Sequence, residues 1–411
     1  MRDISPMQHF LRFASLVAAV MLAASAPAHA QPTSEPATKP AEAPARKPAK
    51  IPQIIFFVAK GEPDACGAGC REWIAAHGGF DEGAPIRLGE LLATLDKAKR
   101  KLPIYFFSPG GSVRIAMEIG RLMRARKMKA GVGRTIPQGC DPRQVRDKAC
   151  EATMRSGAVL TAELRTGGAA CNSACVYAVL GAAERDIAPD AALGVHSGRL
   201  FSSTPIAGEE ERLLRANATI ARYLEEMGIA RGVVEAAAAV PSDKIRYLKR
   251  EEIVQFGIDK RELVESRWTR AVDKGGRPGL QKYFVSASND EPKQYRTALL
   301  RLTCSPLSWQ HLVVQLMQER PSLEKISIAV VTGTNEAALD PVGKRPSGET
   351  GLEWQLRSGV SMVPPLQEAA KGGSIEIVEK VEGAPTTSAR RIILSAAGLG
   401  PLLGPFSDEC R

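Results

Sequence analysis

Residues 171–199 constrain the fold more than any other stretch. They begin Cys-Asn-Ser-Ala-Cys-Val-Tyr-Ala-Val-Leu-Gly-Ala, pass through Glu-Arg-Asp-Ile-Ala, and end Leu-Gly-Val-His-Ser-Gly-Arg. Ser173 opens a helix of small residues that is expected to run to about Ala182. Two short apolar runs follow, and the second ends on His196. The spacing leaves room for a helix, a turn and two strands that fold back. A serine at a helix start lies beside backbone N–H groups that no helix carbonyl accepts. Such groups stabilise an oxyanion when the hydroxyl attacks a carbonyl, and a histidine on a neighbouring strand can take the hydroxyl proton. The plainer reading is an N-capping serine and a half-buried histidine.

A second stretch favours the chemical reading. Residues 103–113 read Pro-Ile-Tyr-Phe-Phe-Ser-Pro-Gly-Gly-Ser-Val. An apolar strand runs into Gly110 and Gly111, and an amphipathic helix follows over 113–126. Paired glycines at a strand-to-helix turn let the backbone approach a ligand with its N–H groups exposed. The plain alternative is an ordinary connection. Two such elements in one chain suggest two halves of one oxyanion site.

This order of motifs resembles the Clp protease proteolytic subunit and the wider ClpP/crotonase superfamily. The resemblance covers about half the chain, from Trp73 to Ile258. It is closer still to secreted bacterial members that share Cys-x-x-x-Cys-x-x-Trp-Ile before the core and Cys-x-Ser-Ala-Cys at the serine. It implies that Ser173 is the nucleophile and His196 the general base. The N–H groups of Ala174, Gly110 and Gly111 would form the oxyanion hole. The family's acid falls on Ile245 in this register, which cannot orient a histidine; Asp243 is the nearest candidate. A Ser–His dyad, or a backbone carbonyl orienting His196, is the alternative. The resemblance also implies a peptide or protein substrate, no cofactor, and a possible homo-oligomer.

Residues 1–30 read as a secretory signal. Arg2 and Arg12 accompany a polar start, an apolar run extends from about Phe13 to Ala26, and Ala28-His29-Ala30 fits cleavage after Ala30. Uncleaved retention as an anchor is the alternative. Residues 31–52 are rich in Pro, Ala, Thr and Lys and read as a tether. A periplasmic or secreted, soluble protein is expected. No ATPase partner is implied, because ATP is not expected outside the cytoplasm. The net charge of +10 is thinly spread. Its densest clusters, 97–101 and 121–129, lie on or beside expected helices and read as solvated faces. With no nucleic-acid module and an exported chain, nucleic acid is not an expected partner.

Eight cysteines in an exported chain favour disulfides. Cys66 and Cys70, Cys140 and Cys150, and Cys171 and Cys175 are local in sequence. Cys304 and Cys410 remain and are expected to bond. A Cys-x-x-x-Cys pair of zinc ligands is the rival reading; no metal is expected. If Cys171 and Cys175 sit one helical turn apart, they bond each other only with distortion. Cross-links from this helix to Cys140 or Cys150 are therefore expected.

Strands are expected at 54–58, 73–79, 104–107 and 128–132, and helices at 87–100 and 113–126. This alternation argues for a parallel sheet with outer helices. Residues 133–170 break the rhythm as a polar, cysteine-bearing insertion, read either as a lid or as surface decoration. Helices at 209–227, 232–239 and 250–256 and a strand at 245–248 complete the first domain. The expected class is α/β: a ClpP/crotonase-like core over 53–262, a connector over 263–284, and an antiparallel β-rich domain over 285–411, either a sandwich or a barrel. No nucleophile–base pair is found in the last domain. A non-catalytic ClpP-fold scaffold and crotonase-type chemistry on an acyl thioester are the rival functions.

Overall fold

Apolar runs broken by amphipathic stretches set the first half of the chain. The computed structural model describes residues 52–143, 147–198, 208–272, 275–288, 293–304, 310–316, 326–347, 351–385 and 388–410. The expected signal segment and nearly all of the expected tether lie outside the described residues. In chain order the first half carries β1 (Ile55–Lys60), β2 (Glu72–His77), α1 (Ala84–Thr94), β3 (Ile104–Phe107), α2 (Val113–Ala125), β4 (Lys129–Val132), β5 (Arg134–Pro137), α3 (Lys148–Met154), β6 (Leu160–Arg165), β7 (Ala170–Asn172), α4 (Ala174–Gly181), β8 (Glu184–Asp186), β9 (Ala192–Val195), α5 (Glu209–Glu226), α6 (Gly232–Ala238), β10 (Arg246–Tyr247) and α7 (Arg250–Gln255).

Two sheets form from these strands. One has seven strands in the order β5-β6-β1-β2-β3-β4-β8, and the other has three in the order β10-β9-β7. Strands β2, β3, β4 and β8 run parallel to one another, while β1 runs antiparallel to β2. The sheet is therefore mixed, with a parallel centre. The middle residues of its inner strands are buried and apolar, as expected where both faces are covered. Ile74, Ala75, Ala76, Ile104, Tyr105 and Phe106 all lie out of solvent.

Helix α4 runs through the core, with all eight of its residues buried. Burying its Val176, Val179 and Leu180 contributes roughly 1.5–3 kcal/mol each. Its crossing with α2 requires glycine on both sides. A β-carbon on Gly181 would lie 2.3 Å from the α-carbon of Gly120. Tyr223 of α5 covers this crossing and donates from Oη to the Tyr177 carbonyl at 2.8 Å.

The described part of the stretch 133–170 is built into the first half of the fold. It supplies β5 and β6 to the sheet, and β1 and β2 separate β6 from β3. Thr135 anchors β5 to the core: its amide donates to His77 Nε2 at 2.9 Å, and its hydroxyl accepts from Trp73 Nε1 at 2.8 Å. The Cys140–Cys150 bond staples the loop between β5 and α3.

The second half carries β11 (Leu263–Glu265), β12 (Thr269–Val272), β13 (Pro278–Ala287), β14 (Tyr295–Cys304), β15 (Gln310–Leu316), β16 (Ile326–Thr332), β17 (Asn335–Ser347), β18 (Gly351–Ser358), α8 (Val363–Ala369), β19 (Ser374–Val381), β20 (Arg390–Ser395) and α9 (Gly400–Glu409). Its ten strands form one antiparallel sheet in the order β11-β13-β14-β15-β18-β17-β16-β19-β20, with β12 added beside β13. The sheet curls into a nearly closed barrel. Side chains bridge the remaining gap between β20 and the β11/β13 edge: Arg390 donates to Ser286 Oγ at 2.9 Å, and Lys282 to the Ser395 carbonyl at 2.9 Å. Phe284, Leu300, Val314, Val330 and Phe406 fill the interior.

The expected connector over 263–284 is thus part of the barrel. Lys282 shows why its strands were hard to read. This lysine is buried, paired with Glu265 at 3.1 Å, and breaks the apolar alternation of β13.

The two halves belong to one compact unit. Arg267, just after β11, reaches back to the first half. It donates to the Cys66 carbonyl at 2.9 Å and to the Tyr105 hydroxyl, and lies 3.4 Å from Asp186 at the end of β8. Arg261 and Lys129 also pair with Asp186, at 3.2 Å and 3.4 Å. Burial alone would raise the Asp186 pKa; the three cations more than offset it and hold the carboxyl at about 2.

Candidate active site

Three segments converge at the carboxyl ends of β3, β7 and β9. Ser108, just beyond β3, donates its amide to the Ala170 carbonyl at 3.1 Å and accepts from the Asn172 amide at 3.0 Å. Ser173, just beyond β7, donates its amide to the Gly194 carbonyl of β9 at 2.7 Å. These bonds carry the strand ladder one step further and bring the Gly110 loop, Ser173 and His196 to one end of the fold.

Ser173 has φ 55° and ψ −124°. It is one of three described non-glycine residues with positive φ, beside Asp64 and Lys127. A conformation of this kind costs of order 1–3 kcal/mol and persists only where its surroundings enforce it. It turns the chain sharply from β7 into α4, the strand–turn–helix form of a nucleophile elbow. No side-chain cap forms at the start of α4. The hydroxyl is therefore not occupied as an N-cap, contrary to the plainer reading of the sequence.

The glycine pair is required where it stands. Gly110 has φ 111°, and a β-carbon there would lie 2.7 Å from Ser173 Cβ and 3.2 Å from its Oγ. Gly111 has φ 134°, and a β-carbon there would lie 2.5 Å from the Phe80 carbonyl oxygen. Phe80 braces the loop: its amide donates to the Gly110 carbonyl at 2.9 Å, and its carbonyl accepts from Ser112 at 2.8 Å.

The two glycine amides are not equivalent. The Gly110 amide donates to Ser108 Oγ at 3.1 Å and is turned inward. The Gly111 and Ala174 amides have no acceptor among the described residues. Of the three groups expected to form an oxyanion hole, these two are free to do so. Ser108 was not singled out from the sequence, although Ser-Pro-Gly is a turn signal in which the serine oxygen accepts from the amide two residues on.

His196 follows β9 and is half-buried. Asn172 and Gly194 are paired in the parallel β7–β9 ladder. Ser173 and His196 therefore lie one and two residues beyond paired positions on strands about 4.8 Å apart. His196 Nδ1 lies 2.7 Å from the Ser197 carbonyl oxygen. A proton on Nδ1 donated to that oxygen leaves Nε2 with a lone pair. The residue is held in turn by the Ser197 amide, which donates to the Val240 carbonyl at 2.8 Å. No hydrogen bond joins Ser173 Oγ and His196 among the described residues. In unliganded sites such bonds are commonly long and tighten when substrate binds.

No hydrogen bond or ion pair joins Asp243 to His196 among the described residues. Asp243 is exposed in the turn before β10, and the Ser197 carbonyl holds the nitrogen it would have oriented. Arg246 faces Val195 in the β9–β10 ladder, so Ile245 and His196 each lie one residue beyond its last pair.

All eight cysteines are bonded, as Cys66–Cys70, Cys140–Cys150, Cys171–Cys175 and Cys304–Cys410. The expected cross-links from Cys171 and Cys175 to the preceding loop are absent. The expectation put both residues on one helix, but Cys171 lies in β7, and the turn at Ser173 brings the two α-carbons to 5.3 Å, within the normal disulfide range. With no free cysteine, the zinc reading has no thiolates to use. Four disulfides are consistent with an oxidising compartment. Among the described residues no helix is long and apolar enough to cross a membrane.

A cleft of about 490 Å³ opens between the two halves, lined by Ile136, Leu164, Arg165, Trp268, Arg270 and Pro401 among others. Ser173 and His196 do not line it.

No family model matches the chain, and no curated protein does. Among solved structures, the chain is similar to a mutant of a membrane-bound stomatin-specific protease. The identity is 16% over 45% of this chain and 74% of that one, with a TM-score of 0.31. It is also similar to invasion-associated protein B from Bartonella henselae, at 8% identity over 34% of this chain and 90% of that one, with a TM-score of 0.23. At these scores neither likeness bears on the chemistry.

Proposed function

We propose that this protein is an exported serine hydrolase of the ClpP/crotonase type, with peptides or proteins as its substrates and the periplasm as its most natural compartment. The observation that carries this reading is the elbow at Ser173, set against Gly110, with the neighbouring Gly111 and Ala174 amides lacking an acceptor among the described residues. Ser173 Oγ attacks a substrate carbonyl carbon while His196 Nε2 takes its proton. The resulting oxyanion accepts from the Gly111 and Ala174 amides. Collapse breaks the scissile bond, and His196 returns the proton to the leaving amine. Water, activated by the same ring, then releases the acyl group from Ser173. The Ser197 carbonyl fixes the ring, so the unit is a dyad with a backbone orienting group. The reaction needs no cofactor, metal or ATPase partner.

A non-catalytic scaffold on the same fold is the second reading. It is favoured because, among the described residues, no carboxylate bonds His196 and no hydrogen bond joins Ser173 to His196. Turnover of an activated ester or of casein separates the two. The hydrolase reading expects wild-type turnover that Ser173→Ala abolishes; turnover unchanged in Ser173→Ala overturns it.

A further inference from the structure

A serine that starts a helix ordinarily anchors the first turn through its own side-chain oxygen. At Ser173 that oxygen is turned onto Gly110 instead, and α4 has no side-chain cap. The Ala174 amide is unpaired as well. Yet the elbow holds a strained backbone that something must enforce. Hydrogen bonds from the Asn172 and Ser173 amides fix the strand side. On the helix side, the Val176 amide bonds back to the Ser173 carbonyl at 3.1 Å. The other local restraint is covalent. The Cys171–Cys175 bond joins the middle of β7 to the first turn of α4 and closes a loop around Asn172, Ser173 and Ala174. Both cysteines are fully buried.

We propose that the Cys171–Cys175 disulfide is a positioning clamp for the serine. It takes over the anchoring task of an N-cap, which frees the hydroxyl to act as nucleophile and keeps the Ala174 amide aimed at the oxyanion. Cys171 and Cys175 touch no substrate; they act through Ser173. The proposal rests on the hydrolase reading above.

The molecule carries its own control. Cys66–Cys70 has the same sequence separation of four residues. Removing either bond releases a loop of equal length in the unfolded chain, so the entropic effect on stability is matched. Only one of the two loops contains Ser173.

The test compares Cys171→Ala/Cys175→Ala with Cys66→Ala/Cys70→Ala in the full-length exported protein. The readouts are the rate of labelling by a fluorophosphonate probe, kcat and KM on an activated ester, and thermal melting. The clamp variant is expected to label about 10- to 100-fold more slowly, in line with the effect of small misplacements. The loss should fall on kcat, with KM within about twofold if only positioning is lost. The control pair should keep the wild-type labelling rate. Cys175→Ser, which breaks the bond with less change of volume, serves if the double variant does not fold. A folded clamp variant that labels at the wild-type rate overturns the proposal, as does a control pair that slows labelling equally. A wild type that is not labelled at all removes the hydrolase reading, and the clamp falls with it.

Discussion

Gly110 and Ser173 are in such close contact that a β-carbon on the glycine would lie 2.7 Å from the serine Cβ. The Gly110 loop and the turn at Ser173 are thus fitted to one another with no room for a side chain between them. Either element alone is common; their mutual fit is what defines a site.

Gly110→Ala follows directly. The new methyl group would push the loop off the serine, and φ of 111° suits an L-residue poorly. The stability cost should be about 1–3 kcal/mol. The probe-labelling rate should fall by about 100-fold or more, since small displacements of reacting groups are costly. A folded variant that keeps its labelling rate would contradict the assignment of this loop.

His196 and Asp243 should behave very differently. His196→Ala is expected to reduce turnover by about a thousandfold or more. Asp243→Asn should change it by less than about threefold, a range within which no transition-state contact is implied. The reason is that the Ser197 carbonyl, not Asp243, sits 2.7 Å from His196 Nδ1. Steady-state rates on an activated ester decide between them. A large loss in Asp243→Asn would mean that the turn before β10 closes on the histidine in solution.

Asp186 gives a pH dependence of stability. Its folded pKa of about 2 lies below the ordinary carboxylate value. A depressed acid of this kind contributes stability that is fully present above about pH 4 and is lost as pH falls through the folded value, worth about 2 kcal/mol here. Urea midpoints measured from pH 5 down to pH 2 should fall less steeply in Asp186→Asn than in wild type. The variant should already be weaker at pH 7, because Arg267 loses its charge partner. Parallel curves for the two proteins would show that Asp186 does not link the halves energetically.

The centre of the first half was legible because local signals agreed there. The apolar run of β3 stops at Ser-Pro-Gly-Gly, and Ser112 caps α2 by accepting from the Ile115 amide. The apolar face of α2 then repeats through Ile115, Ile119 and Met123. Ser173 and His196 stood out because each ends a short apolar strand or starts a helix. What the sequence did not reveal lay in long-range pairing. The inward turn of the Gly110 amide depends on the rotamer of Ser108, and the backbone partner of His196 leaves no mark in residue type.

The antiparallel β-rich class of the second half was legible, but the extent of its elements was not, for a different reason. Its β17 contains Pro341, Gly343 and Pro346, residues that read as turns; the first two flank a bulge in its ladder with β18. In α8, Pro364 and Pro365 occupy the first turn, where a missing amide costs nothing. Helix α9 likewise has Pro401 in its first turn and holds Pro405 inside it. The Cys171–Cys175 bond was missed because the reading placed Cys171 on the helix; one positive φ at Ser173 changes the geometry of the pair.

The central claim is that Ser173 is an activated nucleophile, and intact-mass analysis after fluorophosphonate treatment tests it most directly. Folded wild type should gain one adduct per chain, mapped by peptide sequencing to Ser173, and Ser173→Ala should gain none while melting at a similar temperature. A folded wild type that gains no adduct, or a Ser173→Ala variant that gains the same one, would contradict the account.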